Sequence, residues 1–437
     1  MKRAVSLLFI LTVLLVFFSG CSFKLRSIES LMRPPYTATE RELEKSIHKL
    51  LGTHISYRSP SSGKYFSAIT LRDLNGDSVD EAVVFYVNKD DESTVRMCVL
   101  SQSEGEWNLV SDFAGNGSSV ISLDFVDFNN DFNEEIIVSW LLFGDKAQKM
   151  ISIYTSDSEN DKLKVSACIS EPYDIMMVTD VNGNNEKQIL ISFTSLTQSL
   201  GKTTLKMLGV NVDNKAVLIN ETILDERISK TVAINSDLQS DGQLPRFFID
   251  AQISDSQFIT HVFEWNSESK NFISLIDDFT DRDITLRSSN LLCKDINDDG
   301  QIEIPLRKPM AESNNSDNTF GYVLEWCSIK DSKLVTEVYY VVNLLENYNL
   351  YFPSSWKDKV FINTEIDTRT WNFLDKNNNK LFSVTAYNFS EWDENSSNVT
   401  EMLMMQNDTV YACTITEDGA NFGIKAVDLL KYFSLNV

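Results

Sequence analysis

The stretch Leu292–Ile304, LCKDINDDGQIEI, decides how this chain is read. Oxygen-bearing side chains occupy alternate positions at Asp295, Asn297, Asp299, Gln301 and Glu303, with Gly300 among them. Closely related text recurs as LRDLNGDSVDEAVVFY from Leu71, FVDFNNDFNEEIIVSW from Phe125, VTDVNGNNEKQILISF from Val178 and NSDLQSDGQLPRFFID from Asn235. The first aspartates of the five copies are Asp73, Asp127, Asp180, Asp237 and Asp295, spaced 54, 53, 57 and 58 residues apart. A period of this size marks a repeat architecture in which each unit needs its neighbours to bury its apolar surface.

The text between the motifs keeps the same beat. AVVFYV, VRMCVLSQ and WNLVSDF follow the first motif, and EIIVSWLL, MISIYTSD and LKVSACI follow the second. These runs are rich in β-branched and aromatic residues and are separated by polar turns, which predicts strands and not helices. With the strand before each motif (SAITLRD, SLDFVD, IMMVTD), every unit has four. The expectation is a mainly β chain: a β-propeller of about five four-stranded blades over residues 64–343, or alternatively an open β-solenoid. A small α+β domain follows over 344–437.

Within each motif we number the first aspartate as position 1. Side chains at positions 1, 3, 5 and 9 and the main-chain carbonyl at position 7 can converge on one point. Crowding carboxylates so tightly is repaid by a hard cation, and Ca²⁺ takes six to eight oxygens in flexible geometry. The loop runs directly into a strand, so it is not an EF-hand. The candidate ligands are Asp73, Asn75, Asp77, Val79 and Glu81; Asp127, Asn129, Asp131, Asn133 and Glu135; and Asp295, Asn297, Asp299, Gln301 and Glu303. Two weaker sets are Asp180, Asn182 and Asn184, where position 9 is the amide Gln188, and Asp237, Gln239 and Asp241, where position 9 is Pro245. The competing reading of every loop is a polar turn of Asp, Asn and Gly without metal.

The Asp-x-Asn-x-Asp-x-x-x-Glu loop on units of this length resembles the FG-GAP/VCBS repeats of integrin-α-like propellers. The resemblance covers about residues 64–343, and it implies calcium held in loops at one face, mainly for rigidity. The string YFPSSWKDKV…LFSVTAYNFSEW resembles a small C-terminal module common on secreted proteins and lipoproteins of Gram-positive bacteria.

The ends place the chain outside the cytoplasm. MKRAVSLLFILTVLLVFFSGC has a basic start, an apolar run and small residues before a cysteine, the pattern of a signal peptide. Ser19-Gly20-Cys21 resembles a lipobox, which implies a lipid on Cys21 and a membrane anchor. Segment 21–63 is then a linker with one amphipathic helix. Thr39 and Glu42 form a capping box, Leu43, Ile47, Leu50 and Leu51 a stripe, and Gly52 the stop. The formal net charge of −24 argues against a nucleic-acid partner.

Cysteines 98, 168, 293, 327 and 413 lie in apolar runs and read as buried small hydrophobes. Only His48, His54 and His261 are present, and no catalytic set stands out. Trp356, Trp371 and Trp392 read as core residues, with sugar stacking as the alternative. The function expected is a calcium-stabilised binding or scaffold lipoprotein of the cell envelope, with a protein or glycan partner and no enzymatic activity. The alternatives are a calcium-dependent adhesin and a carbohydrate-active enzyme built on a propeller.

Overall fold

The structure is a computed structural model that describes residues 38–142, 148–159, 162–195, 202–211, 213–237, 244–276, 283–288, 290–308, 321–330, 333–392 and 400–435. The signal segment, Cys21, Gln239 and Asp241 lie outside the described residues. Among those residues the chain is mainly β, with its strands in six antiparallel sheets.

Five sheets follow one another along the chain as simple meanders. The first contains Ile69–Arg72, Glu81–Asn88, Asp91–Ser103 and Glu106–Ala114, and Ile55–Tyr57 extends the edge beside Ile69–Arg72. The second is Ser119–Val126, Glu135–Leu141, Lys149–Glu159 and Lys162–Tyr173, and the third is Ile175–Thr179, Gln188–Ser195, Lys202–Val210 and Ala216–Ile223. The fourth is Lys230–Ser236, Arg246–Ser254, Gln257–Asn266 and Asn271–Ser274. The fifth is Ile304–Lys308, Gly321–Lys330, Lys333–Asn343 and Tyr348–Tyr351, closed by Phe433–Leu435 from the end of the chain.

The fully apolar runs are explained by burial on both faces. In Glu81–Asn88, Val83 and Phe85 pack with Val120, Val138 and Trp140 of the second sheet, while Ala82 and Val84 face the other way. Ile189 and Ile191 meet Ile137, Ile151 and Ile153 of the second sheet, and Leu190 between them meets Phe247 and Ile249 of the fourth. Phe248 turns instead to Ile304, Leu306 and Cys327 of the fifth. The core is therefore a series of layers, each shared by two consecutive sheets. Alternate residues of one strand serve different neighbours, which is why these strands lack a polar face.

The two ends of the series are covered by other elements. The helix Ala38–Leu51 lays Leu43 and Ile47 on Ala82, Val84, Tyr86, Cys98 and Leu100, the face of the first sheet turned away from the second. Thr39 is the second residue of this helix, inside its first turn, and not the cap expected of it. Leu50, expected in the apolar stripe, is 37% exposed. At the other end Val323, Val341 and Leu350 of the fifth sheet pack against Trp371, Phe373 and Phe382 of the sixth. A Cβ added to Gly321 would lie 2.3 Å from the Trp371 ring, so the two sheets approach too closely for any larger residue.

The sixth sheet orders Phe361–Glu365, Thr370–Leu374, Lys380–Asn388, Thr409–Ile415 and Thr400–Gln406, with short helices Glu417–Phe422 and Ala426–Tyr432 beside it. Tyr348–Tyr351, past residue 344, belongs to the fifth sheet, and the sixth sheet with its helices lies C-terminal to it. Trp356 and Trp371 are buried in its core. Cys98, Cys293, Cys327 and Cys413 are buried thiols without disulfides.

The fifth unit departs from the pattern in one respect. The run before Asp295 makes a single bridge, Lys294 to Glu303, in place of a first strand. A fully buried ion pair holds this segment instead. Arg287 donates to Asp250 at 2.7 Å and to the Leu291 carbonyl at 3.0 Å, and Asp250 also accepts from the Cys293 main-chain N–H at 2.8 Å. Each partner leaves the other uncompensated if removed, so the pair fixes the crossing from fourth to fifth sheet.

The covered face of the first sheet gives a direct test. Ile47→Ala opens a cavity beneath the helix and should cost about 2–5 kcal/mol in urea unfolding. Leu50→Ala, on the exposed side of the same helix, should change stability by less than about 0.5 kcal/mol.

Candidate metal sites

In the first four units the motif lies between the first and second strands; in the fifth it lies between a single bridge and the strand Ile304–Lys308. The closing pairs are Arg72 with Glu81, Val126 with Glu135, Thr179 with Gln188 and Lys294 with Glu303. Position 9 thus begins the buried second strand in the first three units and directly precedes the buried strand of the fifth. These loops share one backbone form, with left-handed residues at positions 4 and 6: Gly76 and Ser78, Asn130 and Phe132, Gly183 and Asn185, Asp298 and Gly300. The sequence pointed to glycine at position 6 alone. Position 4 carries the same demand, and glycine meets it in the first and third loops.

The polar side chains are held inside this frame. The position 1 carboxylate accepts two main-chain N–H bonds: Asp73 from Gly76 and Ser78 at 2.8 and 2.9 Å, Asp127 from Asp131 and Phe132 at 3.3 and 3.0 Å, Asp180 from Gly183 and Asn185 at 2.7 and 2.8 Å, and Asp295 from Asp299 and Gly300 at 3.1 and 2.8 Å. Asn75, Asn129 and Asn297 each donate to the position 5 carboxylate, Asp77, Asp131 and Asp299. Those carboxylates accept from the N–H of Val79, Asn133 and Gln301, each at 2.8 Å. These bonds satisfy the turn and would form with or without an ion.

Position 9 is different. Glu81, Glu135 and Glu303 are buried. One oxygen of each accepts the N–H of position 2: Leu74 at 3.0 Å, Phe128 at 3.3 Å and Ile296 at 3.1 Å. The other oxygen of Glu135 and of Glu303 has no hydrogen-bond partner among the described residues. Burial raises the three carboxyls to about 7, 8 and 7 respectively, and the negative charges at positions 5 and 1 push in the same direction. An unpaired carboxylate in such a place is costly. The residues fit a cation here: the donor set is all oxygen, and in the second and fifth loops it contains a buried oxygen that nothing among the described residues satisfies.

The remaining two loops are built otherwise. In the third, Gln188 Oε1 accepts the Val181 N–H at 2.8 Å, as the glutamates do, but its Nε2 donates to the Glu186 carbonyl at 3.2 Å. Glu186 is position 7, whose carbonyl is a candidate ligand. In the fourth, the Asp237 carboxylate is buried and bound by Arg246, through Nε at 2.7 Å, through Nη2 and through the main-chain N–H at 3.0 Å. Arg246 Nη1 also donates to Ile329 O of the fifth sheet at 2.8 Å. The register differs as well, since Ser236 pairs with Phe247, so the connection is two residues longer and Pro245 does not occupy the place of the glutamate. Asp237 is thereby corrected from an expected calcium ligand to the partner of a guanidinium. Arg246 was missed because it lies one residue past the end of the motif.

The loops also touch in series. The Glu134 N–H donates to Leu74 O at 2.8 Å and the Lys187 N–H to Phe128 O at 3.1 Å, joining position 8 of one unit to position 2 of the unit before. Arg72 pairs with Glu134 across the same boundary. Asn130 Nδ2 reaches Asn185 O at 3.1 Å, and a Cβ at Gly183 would meet the Leu244 side chain at 2.8 Å. The first three loops therefore form a row along one edge of the sheets. Among the described residues no three His, Cys, Asp or Glu side chains gather as a metal cluster. The loop donors combine carboxylates with amide and main-chain oxygens.

No protein family matches the chain, and no curated protein matches it. Among solved structures, the rhamnogalacturonan lyase YesW is similar at a TM-score of 0.31 and 10% identity over 75% of this chain and 76% of its own. The exotype rhamnogalacturonan lyase YesX is similar at 0.30 and 9% over 76% and 85%. Scores this low carry no weight for the chemistry of this chain.

Arg246 supplies the prediction here. Arg246→Ala leaves Asp237 buried without its counter-charge and should cost about 3–5 kcal/mol in denaturant unfolding. Ten-millimolar Ca²⁺ should not restore the loss; full restoration would show that the Asp237 loop accepts an ion after all.

Proposed function

We propose that this chain is a calcium-stabilised binding or scaffold protein of the bacterial cell surface, anchored by a lipid on Cys21. The observation that carries the calcium reading is the pair of buried oxygens of Glu135 and Glu303 that have no hydrogen-bond partner among the described residues, each in a loop with two further carboxylates in its sequence. Glu81 makes the same bond to the N–H of position 2, and burial likewise raises its pKa, to about 7. The ion would be held by Asp73, Asn75, Asp77, the Val79 carbonyl and Glu81 in the first loop. The second loop would use Asp127, Asn129, Asp131, the Asn133 carbonyl and Glu135. The fifth would use Asp295, Asn297, Asp299, the Gln301 carbonyl and Glu303. Its contribution is rigidity, and the reading requires no catalytic group.

The architecture we infer is a row of FG-GAP/VCBS-like blades with calcium loops along one edge. The coverage of the first sheet by the N-terminal helix favours an open row over a closed propeller, because a ring would set that face against the fifth sheet. The envelope location rests on the signal-like N-terminus and the strongly acidic composition. A glycan or protein partner follows from the absence of any need for chemistry in this design, and the acidic surface disfavours polyanions.

Thermal unfolding of the full chain in EDTA and in 10 mM Ca²⁺ tests the metal reading. Extracellular calcium modules bind at roughly 10⁻⁴–10⁻³ M. At a hundredfold excess over Kd each occupied site adds about 2.7 kcal/mol, enough to raise the midpoint by several degrees. Glu135→Ala and Glu303→Ala should each shrink the rise. An unchanged midpoint in calcium would identify the loops as polar turns and sink the proposal.

A further inference from the structure

We infer that the third and fourth loops carry built-in substitutes for the cation, so that this chain takes three calcium ions and not five. The inference rests on the calcium reading of the other loops and goes beyond it, because it assigns Gln188 and Arg246 as the residues that set the stoichiometry.

The comparison between loops is close enough to isolate the cause. The third loop has the same closing pair as the first, the same left-handed positions 4 and 6, and the same position 1 carboxylate accepting two N–H bonds. Gln188 is as buried as the glutamates and makes their bond to the N–H of position 2. Only the second atom of its head group differs. Where Glu135 and Glu303 present an oxygen with no partner, Gln188 presents an NH₂ that donates to the Glu186 carbonyl. A donor at this point satisfies the position 7 carbonyl and repels a cation. Asn184 at position 5 removes a second negative charge and donates to Glu186 Oε2 at 2.8 Å. The loop keeps its shape without an ion because its own amides fill the roles the ion would have.

The fourth loop reaches the same end with a full charge. Arg246 sets a guanidinium on the position 1 carboxylate, and the longer register puts Phe247 where the others have glutamate or glutamine. A tethered guanidinium already holds the carboxylate through its fork, so an ion would have to displace it to bind there.

Calcium counting by equilibrium dialysis on the full chain tests this, with unfolding in EDTA as a second readout. The wild-type chain should bind three ions. Asn184→Asp with Gln188→Glu gives the third loop the ligand pattern of the first. This double variant should bind four ions, be less stable than wild type in EDTA, and regain that loss in calcium. Four or five ions on the wild type would overturn the inference and leave the calcium reading intact. Three ions on both would show that Gln188 and Asn184 do not set the count and would overturn it as well. No ions on either would remove the calcium reading itself, and the substitutes with it.

Discussion

The fold hangs on one buried contact, the head group at position 9 of the first, second, third and fifth loops accepting the N–H of position 2. Position 9 opens a buried strand in the first three units and directly precedes one in the fifth. Position 2 sends its side chain into the core between units: Leu74, Phe128 and Val181 are almost completely inaccessible. The carbonyl of position 2, in Leu74 and Phe128, accepts from position 8 of the following unit. A single residue is thus tied through its N–H to its own strand, through its side chain to the core and through its carbonyl to the next repeat. Moving the loop by one residue would break all three links and reverse the faces of a strand that has no polar face to spare. The loop sets the register for the whole array, which explains why its backbone form survives where glycine does not. Phe132, 81% exposed, holds a left-handed position 6 that glycine fills in the fifth loop.

Much of this was written locally. The alternation of oxygens, the spacing of the aspartates and the apolar runs were enough to place four strands and a loop in each unit. They sufficed because strand, turn and motif are all contained within one repeat. The sequence did not reveal what depends on distant residues. The partnership of Arg246 with Asp237 needed the two-residue lengthening of the fourth connection, and an arginine beyond a motif looks like any surface arginine. The helix Ala38–Leu51 was legible from its apolar stripe, but which face it covered turned on Ala82 and Val84, whose neighbours in the strand point elsewhere. Phe433–Leu435 joins Tyr348–Tyr351 across more than eighty residues, and no local pattern announces a returning strand. The buried Asp250–Arg287 pair was invisible for the same reason.

The distribution of ion-dependent and ion-independent loops carries a consequence for local stability. On the proposed reading the first, second and fifth units draw on calcium, while the third and fourth hold their own counter-charges. The self-sufficient pair lies in the middle of the series, where Leu190, Leu205 and Met207 pack with Phe247, Ile249 and Ile259. In a stacked array, stability is close to a sum of unit and interface terms, so units can open in turn and not all at once. Loss of calcium then weakens the two flanks and spares the centre. The flanks are where other elements dock: the helix on the first sheet, and the C-terminal sheet and returning strand on the fifth. An uncompensated glutamate in the first or fifth loop would be felt through the register of its strand at those docking faces. On the proposed reading, calcium at the ends and covalently tethered donors in the middle would give a rigid centre whose attachments depend on the ion content of the medium.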